Sequence, residues 1–113
     1  MAGGDVVVVA DWVAGRAIVA FGLRGNVFRS LDGGARWGKV GTGLEVALTG
    51  AAELPDGRLV LVSQAGHLLV SADGGESFAL TRGPSLPAAA VAVAGKDTLV
   101  IVGARGVRRE RLR

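Results

Sequence analysis

The chain lacks cysteine and tyrosine altogether, and its 113 residues include one histidine, one methionine and only 4% aromatics. Without cysteine there is no disulfide and no thiolate metal site. His67, the only histidine, reads as structural rather than catalytic or ligating in the absence of cysteine or a second histidine, and Ser63 and Ser85 have no sequence partners that suggest a triad. Half of the residues are apolar, yet no run approaches the roughly 18 apolar residues a membrane-spanning helix requires. The start, Met-Ala-Gly-Gly-Asp, has no basic segment, and Asp11 interrupts the following valine run, which argues against a secretory signal. These absences point to the cytoplasm. An excised piece of a secreted or periplasmic protein would read the same way.

The formal net charge of +3 is unevenly spread. Residues 105–113 contain five arginines and one glutamate, a balance of +4, so the rest of the chain carries −1. Arg105, Arg108, Arg109, Arg111 and Arg113 could hold phosphate or an acidic surface. The plainer reading is a charged edge strand that resists edge-to-edge pairing. No aromatic is interleaved for base stacking, which argues against nucleic acid. Gly41-Thr42-Gly43 is followed by no P-loop lysine, so phosphate cradling is not supported there either.

What is present is a repeat. Ser30-Leu31-Asp32-Gly33-Gly34-Ala35-Arg36-Trp37 returns as Ser71-Ala72-Asp73-Gly74-Gly75-Glu76-Ser77-Phe78, 41 residues on. Before each copy stands a glycine and an apolar run, Gly25 with 26–30 and Gly66 with 67–71, and Gly106 opens a third run. Upstream lie further runs at 17–21, 59–62 and 99–102, and small-residue runs at 6–10, 46–52 and 88–94. Each is short, rich in Val, Leu, Ile or Ala, and bounded by Gly, Pro or Asp, which is the profile of strands. Pro87 to Ala94 is the one segment where helix propensity competes, and its phase in the repeat assigns it to a strand.

Four strands per 40-odd residues, joined by tight turns, is the blade of a β-propeller. The spacing predicts an all-β chain of four-stranded antiparallel blades, about 2.75 of them. Blade one covers 5–41, blade two 45–82 and an incomplete blade three 88–113, in a single array over 1–113. Unbroken apolar runs such as Val6 to Val9 imply strands buried on both faces. Open blade edges and faces imply completion by self-association or by sequence beyond this chain.

The S-x-D-G-G-x-x-aromatic segments resemble the Asp-box, or BNR, repeat of sialidases, sortilin-type receptors and photosystem II assembly-factor propellers. The glycine and apolar run ahead of each box are most similar to the photosystem II stability and assembly factor group. The resemblance implies a hairpin between third and fourth strands in which Ser30, Asp32, Gly34 and Trp37, and Ser71, Asp73, Gly75 and Phe78, stabilise the turn and do no catalysis. Sialidase chemistry needs a tyrosine nucleophile, and none is present. The third blade departs from the pattern, since no box follows Gly106.

The expected function is a non-catalytic binding or assembly scaffold, with no cofactor and no metal, a protein partner and a homo-oligomeric state. The competing reading is a fragment of a carbohydrate-active Asp-box propeller whose catalytic blades are absent. Ligands of a propeller meet the loops at the ends of its channel. Trp12, Arg16, Arg24, Arg58 and Arg105 fall in or beside such loops and are the candidate binding residues.

Overall fold

The computed structural model describes residues 8–13, 17–83 and 85–112, the first six through their backbone. These form three antiparallel sheets. The first sheet is β1 (Val8–Val13), β2 (Ala17–Phe21), β3 (Val27–Ser30) and β4 (Gly38–Val40), hydrogen-bonded in that order. The second is β5 (Leu48–Glu53), β6 (Leu59–Ser63), β7 (Leu68–Ser71) and β8 (Ala79–Arg82), again in chain order. The third holds β9 (Ala90–Val93), β10 (Thr98–Gly103) and β11 (Gly106–Arg111), with β10 in the middle. The only helical turn among the described residues is a 3-10 turn at Leu23–Gly25. The chain is therefore all-β, with the blade-like meanders of a partial propeller. The alanine-rich stretch before Ala94 is strand β9: Val91 and Val93 pair with Ile101 and Leu99, so sheet pairing overrides alanine's helix preference.

The blades have no separate cores. Apolar seams between them do that work. Val19, Phe21, Val27 and Val40 of the first sheet meet Leu48, Leu59, Leu61 and Leu69 of the second. Leu54, Val60, Val62 and Leu68 on the other side of the second sheet meet Ala88, Leu99, Ile101 and Leu112. Alternate residues of a strand point to opposite faces, so β6 places Leu59 and Leu61 in one seam and Val60 and Val62 in the other. That is why the run has no polar alternation. Each such side chain contributes about 1.5–3 kcal/mol on burial. The Val6–Val9 run, read the same way, begins outside the described residues.

The first strands lie side by side, β1 against β5 and β5 against β9. Their small residues follow from that crowding. A Cβ on Gly50 would lie 3.2 Å from Ala90 Cα and from Val91 N, and Thr49 Oγ1 donates to Ala88 O at 2.8 Å across the same junction. Backbone atoms there have little room to give.

At the hairpins between second and third strands, the incoming connection from the outer strand passes close by. Leu44 O crosses where a Cβ on Gly25 would stand, and Leu86 O does so at Gly66. In the third sheet the hairpin is one residue tighter, with Gly103 opposite Gly106, and the close approach, by Pro87 O, moves to Gly103. Gly106 thus repeats the glycine in sequence without repeating its role.

Gly50→Val is expected to force β5 and β9 apart and to destabilise the chain by about 1–3 kcal/mol. A urea titration of both proteins measures this, and an unchanged midpoint would contradict the close approach of the inner strands.

Candidate functional site

The two S-x-D-G-G turns are built alike. Ser30 Oγ donates to Asp32 Oδ1 at 2.9 Å and accepts from Gly34 N at 2.8 Å, while Asp32 Oδ1 accepts from Arg36 N at 2.8 Å. Ser71 Oγ donates to Asp73 Oδ1 at 2.7 Å and accepts from Gly75 N at 2.9 Å, and Asp73 Oδ1 accepts from Ser77 N at 2.9 Å. Both serines are buried. Trp37 closes its turn through a 2.9 Å bond from Nε1 to Gly34 O, whereas Phe78, with no such donor, packs against the seam between the first two sheets.

These bonds decide the acid chemistry of the turns. The Ser77 hydroxyl and backbone N–H, then the Ser71 hydroxyl, hold the Asp73 carboxyl down at about 2. The Arg36 backbone N–H, followed by the Ser30 hydroxyl, lowers Asp32 as well. Both are carboxylates committed to backbone amides, and neither is poised to donate or accept a proton near neutral pH. Among the described residues no group of three or more His, Asp and Glu side chains converges as metal ligands would.

The five candidate binding residues do not form one site. Turns joining first to second strands lie at the same end of the blades as the S-x-D-G-G turns; those joining second to third strands lie at the other. Arg58 is at the first end, in a turn where it donates to Asp56 Oδ2 at 2.8 Å. It borders a cavity of about 320 Å³ with Arg82 and Arg111, which pair with Glu110 and Asp97 at 2.5 and 3.6 Å. These cations are neutralised in place. Trp12 lies within β1, in register with Ile18 rather than in a loop, and Arg16 is outside the described residues.

Arg24 and Arg105 lie at the opposite end, and both are exposed. Arg24 is held at φ 60, a left-handed conformation that costs a non-glycine residue about 1–2 kcal/mol. Neither makes an ion pair among the described residues. Arg24 follows Leu23 and Arg105 follows Ala104, and Leu23 and Ala104 both line a groove of about 540 Å³. All three second-to-third-strand hairpins reach this groove through Gly22 and Leu23, Gln64, and Ala104. Its floor is small and apolar, from Ala47, Pro87, Ala88 and Ala89, with Thr49 and Gln64 as polar points. Backbone bonds from Leu48 N to Gly22 O and from Gln64 N to Ala47 O, at 2.9 and 2.8 Å, stitch its walls together.

Sequence reasoning passed over Leu23, Gln64 and Ala104, which look like ordinary turn residues. The basic C-terminal stretch, expected as a charged edge strand, is strand β11 at the edge of the third sheet. Strand alternation splits it. Glu110 reaches Arg82 in the second sheet, Arg108 shares its face, and Arg109 turns to the open face with Val100, opposite which it pairs.

No family model and no curated protein matches the chain. Nine chains of solved structures do. One, described as YCF48 bound to D1 peptide, superposes with a TM-score of 0.74 at 17% identity over 93% of this chain. The fold is that of a YCF48-like β-propeller. The chain spans 37% of that YCF48 chain, about a third of its length. The three sheets are thus a partial YCF48-like propeller, and the likeness is one of fold.

Ser71→Ala removes the acceptor from the buried Gly75 N–H and is expected to cost about 1–3 kcal/mol in chemical denaturation. The Asp73 contribution has a defined acid window. Its folded value is depressed from the ordinary 3.8 to about 2, so the stability it confers is present above pH 3.8 and is lost as pH falls to about 2. Denaturation midpoints measured across that range should fall more steeply for the wild type than for Asp73→Asn.

Proposed function

We propose that the chain is a non-catalytic binding scaffold that holds an extended peptide segment of a protein partner in the groove at the hairpin end. The observation that carries this reading is the convergence of all three hairpins on one mostly apolar groove. Several blades supply the site together, so its shape depends on their mutual packing. A small, apolar floor with few polar points suits the side chains of an extended peptide better than a charged metabolite. Arg24 and Arg105 are exposed and next in the chain to the groove-lining Leu23 and Ala104, which favours a segment that carries an acidic residue. The strained backbone at Arg24 is the kind of conformational cost found at ligand-binding positions. The fold likeness adds support, because the superposed YCF48 chain is described as bound to a peptide.

A displayed library of random peptides, selected on the intact protein, tests the proposal. Selected peptides are expected to lose at least tenfold in affinity toward Ala89→Trp and Ala104→Trp, which fill the groove from exposed positions, and several-fold toward Arg24→Glu with Arg105→Glu. Peptides that bind these variants as tightly as the wild type would show that the groove is not the site.

A further inference from the structure

The contact between the first two sheets contains a clasp. Arg29 on β3 donates from Nε to Gly74 O, in the S-x-D-G-G turn of the next sheet, at 3.0 Å. Val19, which pairs with Arg29 across β2 and β3, packs on the adjoining glycine: a Cβ on Gly75 would come within 3.2 Å of Val19 Cγ2 and 3.6 Å of Arg29 Cδ. A valine and an arginine at one register position thus grip the two glycines of the following box turn.

The second sheet has Val60 opposite Val70 at this position, and no box occurs in the third repeat. The arginine is missing where there is no turn to hold. In the third sheet it returns. Val100 pairs with Arg109 and Val102 with Val107, just as Val19 pairs with Arg29 and Phe21 with Val27. This second clasp is open: Val102 is 42% and Val107 69% exposed, and Arg109 is exposed. The matching turn is open as well. Among the described residues, a Cβ on Gly33 would meet nothing within 4 Å, and one on Gly34 only its own turn's Trp37, at 3.7 Å.

We propose that the chain docks head-to-tail with a second copy of itself, Val100 and Arg109 of one copy clasping the Gly33–Gly34 turn of the next. Arg109 donates to Gly33 O as Arg29 donates to Gly74 O, and Val100 packs on Gly34 as Val19 packs on Gly75. Ala20 and Phe28 on the receiving sheet are already buried, so the contact is confined to the box end. Being heterologous, it closes a ring or extends a filament. It uses no residue of the peptide groove.

Sedimentation of the full chain over a concentration series tests the contact. The wild type is expected above monomer mass, and Arg109→Glu, altered at an exposed side chain, at monomer mass. Gly34→Asn, which tolerates the positive φ better than other residues but fills the receiving turn, is also expected at monomer mass, with circular dichroism checking its fold. An equimolar mixture of the two variants retains one intact clasp and one intact turn, and should sediment at twice the monomer mass. A monomeric wild type, an Arg109→Glu protein that associates like the wild type, or a mixture that stays monomeric overturns the proposal.

Discussion

Everything in this molecule leans on the two seams between its sheets. A four-stranded meander of about 40 residues cannot enclose apolar side chains by itself, because each side chain leaves on one face or the other. The β6 strand therefore belongs to two cores at once, Leu59 and Leu61 in one and Val60 and Val62 in the other. The inner strands must be small to let the sheets approach, as at Gly50, and the outer strands can be polar or exposed, as β8 is. The stability of any one sheet is inseparable from that of its neighbours, which is the nearest-neighbour logic of repeat proteins.

The polar chemistry serves the same seams. The S-x-D-G-G turns spend their carboxylates on backbone amides, so the acidic residues that stand out most in the sequence are removed from acid–base work. The turn of the second sheet also meets the first through Arg29 and Gly74, which makes it a fixture between sheets as well as a hairpin. The groove where the three hairpins meet lies at the opposite end of the sheets from these turns and from the paired cations near Arg58. A site assembled from the loops of a rigid scaffold is the usual arrangement for binding proteins.

Much of this was legible in the sequence, because the interactions responsible are local. Ser30 and Asp32, or Ser71 and Asp73, are two residues apart, and Gly34 and Gly75 are four residues from the serines they bond. Strand periods, turn residues and the 41-residue spacing likewise involve neighbours along the chain. The sequence thus determined the strands, their order within each sheet, the turn chemistry and the propeller class.

The tertiary structure decided what depends on how sheets stack. Arg29 and Gly74 are 45 residues apart, and nothing local marks Arg29 as different from any other charged strand residue. The separation of Arg58 from Arg24 and Arg105 follows from which ends of the sheets their turns occupy, and the apolar groove exists only once Leu23, Gln64 and Ala104 are brought from three hairpins to one place. The tighter third hairpin shifts the facing of β11 by one residue, which a glycine-to-glycine alignment at Gly106 conceals. Faces and ends are properties of packed sheets, because a side chain's surroundings are set by the neighbouring sheet and only its alternation is set by the strand.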